Sequence, residues 1–282
     1  MGDHYIPQFY LKGFVETPES ELIWVYLKGE ECAFKTTIHN IAQENSLYSR
    51  EMEQYLANKV EAPANAVIRK IRNLQPLTQE DKLNLAKYMM VLWKRVPQQK
   101  KWVNAKAPEI MNPVFERIEK ELIEFGNQYP SKIGIVEKSR KELKESRDTK
   151  EDELIYEIWL ENIPPDKTPQ SVEVLSQMTW RFLIAPNGQY FITSDNPLFF
   201  FHWMGIGKKR SEVTFPITKD MALWATWRID LAEGFFPALP RVLKEINRRT
   251  ASISSTYLYS PRSEKWIQTL ANKGTHMLHH IV

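Results

Sequence analysis

The stretch from Trp180 to Pro197 constrains the fold more than any other part of the chain. It reads WRFLIAPNGQYFITSDNP, with Asn187-Gly188 between two β-rich runs at 182–185 and 190–193. Asparagine and glycine tolerate the positive φ angles that a two-residue hairpin turn requires. The sequence therefore predicts that these two runs form a β-hairpin. Residues 194–196 would form a polar tip before Pro197 interrupts regular pairing.

Strand patterns at both ends of the chain enclose a helical block. Leu22 to Lys28 and Ala33 to Ile38 predict an N-terminal hairpin. Later strands are expected at Leu198 to Trp203, Val213 to Thr218, Met221 to Trp227 and Thr256 to Tyr259. We expect a single α+β domain over residues 1–282. In it, a mixed or antiparallel sheet combines the N-terminal hairpin with the C-terminal strands, and residues 39–178 are mainly a helical insertion packed on that sheet.

Helix signals within this block are local and specific. Thr78, followed by Glu80 and Asp81, is a capping residue with early acids, so it predicts the start of a helix. Pro63 is expected to kink or divide the segment before it. A further helix is expected from Pro240 to about Arg249, which places Asn247 and Arg248 near its end.

Composition excludes several classes of site. The 282 residues include one cysteine, Cys32, which rules out an intrachain disulfide and a four-thiolate zinc site and suits a reducing compartment. The net charge of +3 is only a weak indication of anionic partners. No phosphate-binding glycine loop, dinucleotide fingerprint, zinc-protease motif or nucleophile elbow is present. Without a secretory leader or an apolar run of about 18 residues, we expect a cytoplasmic protein that does not enter a membrane.

Asp195 and His4 are the main candidates for chemistry. A carboxylate at a strand end can bind a metal ion, activate water or orient a histidine. Alternatively, Asp195 accepts nearby backbone N–H groups and braces the turn. A histidine held at the position of His4 can act as an acid or base near neutral pH. Its alternative is a structural histidine bonded to the backbone.

Cations near helix ends offer phosphate contacts, as Arg248 does beside Asn247, although such positions are also ordinary for cations. His276, His279 and His280 lie near the C-terminus without an acidic neighbour in sequence. We interpret them as part of a surface tail and not as a metal cluster.

Four segments give the chain a resemblance to a known family. They are HYIPQFYLKGF from His4, ENSLY from Glu44, FITSDNP from Phe191 and FPIT from Phe215. Over nearly its whole length the chain resembles domain-of-unknown-function family 4238 (DUF4238). Such proteins commonly have a His-x-x-Pro start, a Thr-Ser-Asp-x-Pro stretch and an asparagine in a late helix. Here these correspond to His4 with Pro7, Thr193 to Pro197, and Asn247. The resemblance implies no activity, but it implies that His4 and Asp195 belong to one site.

The leading hypothesis that follows is a phosphoester hydrolase or nuclease-type effector, acting in antiviral defence on nucleic acid or another phosphate-bearing ligand. Asp195 would bind Mg²⁺ or Mn²⁺, or activate water, and His4 would assist proton transfer. The substrate would be oriented or neutralised by Arg181, Ser194, Asn196, Asn247 and Arg248. The alternative is a non-catalytic binding or protein-interaction module in which His4 and Asp195 are structural. The sequence leaves enzymatic activity and oligomeric state open.

Overall fold

The computed structural model describes residues 2–45, 47–149, 151–167, 169–274 and 276–281. It divides into two compact units. The first contains Met1–Pro97 and Pro164–Val282, and the second contains Gln98–Ile163. The helices predicted between residues 39 and 178 thus fall in both units. The expectation of one domain stays a prediction.

The described strands and helices have the following bounds. The strands are β1 (Asp3–His4), β2 (Leu22–Leu27), β3 (Phe34–Thr37), β4 (Gln43–Glu44), β5 (Thr179–Ile184), β6 (Thr193–Ser194), β7 (Phe199–Phe200), β8 (Glu212–Thr218), β9 (Met221–Thr226), β10 (Gly234–Pro237) and β11 (Tyr257–Ser260). The helices are α1 (Gln8–Leu11), α2 (Arg50–Tyr55), α3 (Ala62–Arg72), α4 (Gln79–Arg95), α5 (Pro97–Gln128), α6 (Ile133–Thr149), α7 (Glu151–Asn162), α8 (Pro169–Gln177), α9 (Pro240–Ile253) and α10 (Lys265–Ala271).

Strands from both ends of the chain share a sheet, which confirms the predicted α+β class. A four-stranded antiparallel sheet has the order β3-β2-β11-β6. In it, β11 lies between the N-terminal hairpin, formed by β2 and β3, and β6, the strand that directly precedes Asp195. A five-stranded sheet has the order β10-β5-β9-β8-β7, in which only the β10–β5 pair is parallel. The pair β1–β4 forms a separate two-stranded ribbon.

The hairpin predicted across Asn187-Gly188 is wrong, although the turn itself is present. Gln189 N–H donates to the Pro186 carbonyl at 2.9 Å, and Gly188 has a φ of 79°. Among the described residues of this turn, only Gly188 has positive φ, so the turn lacks the two positive φ angles of the hairpin type I′. The flanking runs separate: β5 enters the five-stranded sheet and β6 enters the four-stranded sheet.

The predicted helix signals are confirmed. Thr78 and Asp81 form a reciprocal capping box at the start of α4. Pro63 follows a wide π-helical turn over Leu56–Glu61, in which Ala62 N–H bonds the carbonyl of Ala57. Because proline has no N–H and its ring crowds the preceding turn, the wider turn lets the helical path continue into α3. None of the described helices is both long enough and apolar enough to cross a bilayer.

Helix α9 packs on both larger sheets through different residues. Its side chains Val242, Leu243 and Ile246 bury against Phe191 and Trp224 in one apolar cluster. Further along, Ala251 joins the second cluster, which includes Leu258 and Ile267. The segment of chain that crosses between the sheets, residues 185–193, therefore runs beside α9.

Candidate functional site

Three of the motifs in the sequence meet around Tyr10. This side chain is fully buried, and its hydroxyl donates to the Pro216 carbonyl at 2.7 Å. The same oxygen lies 2.8 Å from Thr193 Oγ1, and the ring stacks on Phe215 with 5.2 Å between centroids. The N-terminal segment is thus fixed to the strands that carry the other two motifs.

A cavity of about 280 Å³ opens beside this N-terminal segment. It is lined by Asp3, His4, Pro7, Gln8, Phe9, Tyr48, Glu53, Leu56, Ala57, Glu61 and Arg95. Strand pairing fixes the backbone of His4 opposite Gln43. Asp3 Oδ2 accepts the N–H groups of Leu47 and Tyr48 at 2.7 and 3.1 Å, which holds the ENSLY segment at the cavity wall. Ser46 of that motif lies outside the described residues.

Arg95, the last residue of α4, is the buried cation of this cavity. Only 2% of the residue is exposed, and its Nη1 donates to Glu61 Oε1 at 2.7 Å. Among the described residues, Nε and Nη2 of Arg95 have no hydrogen-bond partner. Buried N–H groups without an acceptor are costly, and a guanidinium binds oxyanions through paired N–H groups. The unpaired part of Arg95 is therefore suited to an anionic group.

The π-helical turn at Leu56–Glu61 supplies one wall of the cavity through Leu56, Ala57 and Glu61. A π-turn rotates the following residues relative to a regular helix, and such turns are frequent at functional sites. Here the residue at the end of the turn, Glu61, is the one that fixes Arg95.

His4 is a half-buried member of the cavity wall. Burial lowers its pKa, and hydrogen bonding to the backbone of His39 and Ile38 acts in the opposite direction. Its Nε2 lies 3.4 Å from Gln8 Nε2. Because the net shift is downward, the imidazole is mostly neutral at pH 7 and can accept a proton.

The carboxylates of the cavity differ in what they contact. Glu61 pairs with Arg95, and Asp3 Oδ2 accepts the two N–H groups named above. Glu53 is exposed at the rim. The charged residues that line the cavity are thus of both signs.

Asp195 lies elsewhere and is held by backbone. Only 2% of it is exposed, and its carboxylate accepts N–H groups from Ser255 at 2.8 Å, Thr256 at 2.6 Å and Tyr257 at 3.1 Å. Burial raises the pKa of Asp195 to about 6, against the opposing effect of these three donors and of Lys28. Asp195 is not among the described residues that line the His4 cavity.

The surroundings of Asp195 do not fit a divalent cation. Both of its oxygens face N–H donors, whereas Mg²⁺ and Mn²⁺ require oxygen ligands around a common centre. Within the described part of the chain, no three His, Cys, Asp or Glu residues gather where they could hold a metal ion. We therefore derive no chemical step through a metal at Asp195.

Ser194, Asn196 and Asn247 also contact backbone. Asn247 accepts the Ile192 N–H and donates to the Tyr190 carbonyl, both at 3.0 Å. Ser194 Oγ donates to the Asn196 carbonyl at 2.8 Å, and Asn196 Nδ2 donates to the Ile253 carbonyl at 3.2 Å. All three are buried. Together with Asp195 they tie residues 190–196 to the end of α9 and the start of β11.

The two predicted arginines occupy separate places. The Arg181 guanidinium stacks on Phe236, with 3.8 Å from its carbon to the ring centroid. Arg248 pairs with Glu245 at 2.6 Å and borders two surface clefts on α9. The structure thus brings the His4 and Asp195 segments together through Tyr10. Among the cavities described, His4 lines the one beside Arg95, whereas Asn247 and Arg248 line a cleft on α9, and the functional roles of the predicted residues stay predictions.

Sequence reasoning missed the part played by Arg95, Glu61 and Tyr48. The sequence places Arg95 at a predicted helix end, where a cation can contact phosphate but is also ordinary, and Pro63 predicts an irregular helix without indicating which side chain it orients. The C-terminal tail is more firmly fixed than expected. Its backbone contacts buried groups, with the His279 carbonyl 2.6 Å from Arg249 Nη2 and Ile281 N–H 3.0 Å from Glu212 Oε1.

Comparison with known proteins gives one family match. The model of the family described as "Protein of unknown function (DUF4238)" matches residues 3–264. No curated protein and no solved structure matches the chain.

Proposed function

The chain belongs to the DUF4238 family, and we propose that it is a phosphoester hydrolase whose active site is the cavity between His4 and Arg95. The observation that carries the proposal is the buried guanidinium of Arg95, which lines an open cavity with two nitrogens unpaired among the described residues. A phosphate oxygen is an acceptor of the charge and geometry that this group requires.

The proposed reaction uses His4 as general base. Its neutral imidazole takes a proton from water as the water oxygen forms a bond to phosphorus. The bond from phosphorus to the ester oxygen breaks, and the leaving alkoxide takes a proton from solvent in the open cavity. Arg95 stabilises the negative charge that develops on the phosphoryl oxygens. Glu61 holds Arg95 in place, and Asp3 positions the segment that carries Tyr48.

The catalytic role of Asp195 from the sequence hypothesis is not needed in this scheme. A nuclease-type activity in defence, a cytoplasmic setting and a requirement for Mg²⁺ or Mn²⁺ remain proposals. The cytoplasmic setting is supported by the single cysteine, Cys32, which is exposed and suits a reducing compartment.

The second candidate is a non-catalytic binding module, favoured by one specific observation. The buried Asp195 carboxylate accepts three backbone N–H groups, as a structural brace would, and Asn247 accepts the Ile192 N–H and donates to the Tyr190 carbonyl. Under this alternative, His4 is structural like Asp195, and Arg95 binds an anionic ligand that is not turned over.

The two candidates are separated by turnover assays on His4→Gln. Wild type and variant are incubated with bis(4-nitrophenyl) phosphate, 4-nitrophenyl phosphate, RNA and DNA, each with Mg²⁺, with Mn²⁺ and with chelator. Loss of a general base is expected to lower kcat/KM by about 10²- to 10⁴-fold. Arg95→Lys keeps the positive charge but loses the paired N–H groups of the guanidinium, and it is expected to lower kcat/KM about 100-fold.

His39→Gln is the matched control, because His39 lies near His4 but pairs on the surface with Glu21 at 3.3 Å. It should retain wild-type turnover. Equal activity of correctly folded His4→Gln and wild type would contradict the proposed site. No turnover by wild type on any substrate, with phosphate or oligonucleotide binding that Arg95→Lys weakens, would support the binding module.

A further inference from the structure

A second cavity lies between α9, α10 and the turn at Gly188, far in sequence from the His4 segment. It has a volume of about 410 Å³. The lining residues that matter for its chemistry are Tyr190, Leu243, Lys244, Arg248, Glu264 and Trp266. We call it the α9–α10 groove.

The groove contains an exposed aromatic face. Trp266 is 41% exposed although it belongs to a helix packed on the core, and its ring lies 5.9 Å from that of Tyr190. Leu243 adds an apolar wall. An indole supported from one side and open on the other is a platform on which a planar ring can stack.

A row of cations runs along one edge of the groove. Arg241, Lys244 and Arg248 lie at positions i, i+3 and i+7 of α9, which places them on one face of the helix. Arg241 and Lys244 are exposed. Seven residues at about 1.5 Å per residue give a row of about 10 Å.

Two acidic residues near this row, Glu245 and Glu264, differ in their surroundings. Glu245 is buried and contacts both Arg248 and Arg249. Glu264 is the carboxylate inside the groove. The edge formed by α9 therefore presents cations to solvent beside an apolar aromatic floor.

We infer that the α9–α10 groove binds single-stranded nucleic acid, with a base stacked on Trp266 and the backbone phosphates along Arg241, Lys244 and Arg248. A duplex would keep its bases stacked on each other and away from the indole, whereas a single strand exposes them. This combination of stacking surface and cationic track is what sequence-independent single-strand binding requires. The inference does not rest on the proposed hydrolase, because no residue of the His4 cavity takes part.

The test is fluorescence anisotropy with a labelled dT12 and a labelled U12, each alone and as a duplex with its complement, at several salt concentrations. Gel analysis after each titration checks that the probe is intact. We expect both single strands to bind more tightly than the duplexes. Trp266→Ala should weaken single-strand binding about tenfold. Lys244→Gln and Arg241→Gln should each weaken it and reduce the slope of log affinity against log salt by about 0.7.

Trp203→Ala and Lys35→Gln are the matched controls, since Trp203 is 79% exposed and does not line the groove, and Lys35 is an exposed cation of β3 above Trp24. Neither should change the affinity. The inference is overturned by the absence of binding at low salt, by equal affinity for duplex or for the mononucleotide TMP, or by an equal loss in the Trp203→Ala control. Circular dichroism confirms that each variant is folded.

Discussion

Replacing Asp195 by alanine is expected to destabilise the protein by an amount that depends on pH. The change leaves three backbone N–H groups, those of Ser255, Thr256 and Tyr257, without their acceptor. Each orphaned donor costs about 1–3 kcal/mol, and since these groups are only partly buried we take a total of about 5 kcal/mol. This cost applies at every pH.

Removal of the buried charge acts in the opposite direction near neutral pH. Burial raises the pKa of Asp195 from 3.8 to about 6. A carboxyl with a raised pKa binds its proton more tightly in the folded state, so its contribution to stability is present at low pH and is lost as pH rises from about 4 to 6. A shift of about two units corresponds to about 3 kcal/mol. We therefore expect Asp195→Ala to lose about 2 kcal/mol at pH 7.5 and about 5 kcal/mol near pH 4.

The measurement is urea unfolding of wild type and variant from pH 4 to 8, followed by circular dichroism, with hydrogen exchange at the amides of residues 255–257. These amides should lose protection in Asp195→Ala. Asp220→Ala is the control, because Asp220 is an exposed aspartate in the turn between β8 and β9 and should cost less than about 0.5 kcal/mol. If the loss instead shrinks as pH falls, the three donors outweigh burial and the pKa argument is wrong. If the amides of residues 255–257 stay protected in Asp195→Ala, the Asp195 carboxylate does not hold this segment in place.

Two further predictions concern the C-terminal tail and the start of α4. Arg249 is fully buried and pairs with Glu212 at 2.5 Å, so Arg249→Met should cost about 3–5 kcal/mol by removing the buried cation that pairs with this carboxylate. It should also expose the tail to limited proteolysis, whereas Arg241→Met at the exposed end of the same helix should do neither. Thr78→Ala should lower the free energy of urea unfolding by about 1 kcal/mol through loss of the capping box. Thr78→Ser should retain most of this free energy, because serine can also cap a helix. An equal loss of unfolding free energy in both variants would show that the cap is not the cause.

The candidate site was only partly accessible to sequence reasoning. His4 was selected for its chemistry and indeed lines a cavity. Arg95 can contact phosphate, but the sequence does not distinguish it from other cations at helix ends, because its burial depends on residues distant in sequence. A carboxylate at a strand end predicts a role in chemistry for Asp195, but whether such a group meets solvent or backbone N–H groups depends on the position of β11.

Local chemistry in the sequence determined the elements that depend on near neighbours. Gly29, with a φ of 89°, closes the N-terminal hairpin, and Thr78 starts α4 with its own side chain. Asn187-Gly188 likewise determined a turn. It did not determine which strands would pair, because hydrogen bonds between strands are available to any extended segment that reaches them. The tertiary structure sent the two runs to different sheets, and the same long-range packing decided that Asp195 is enclosed while Arg95 faces a cavity.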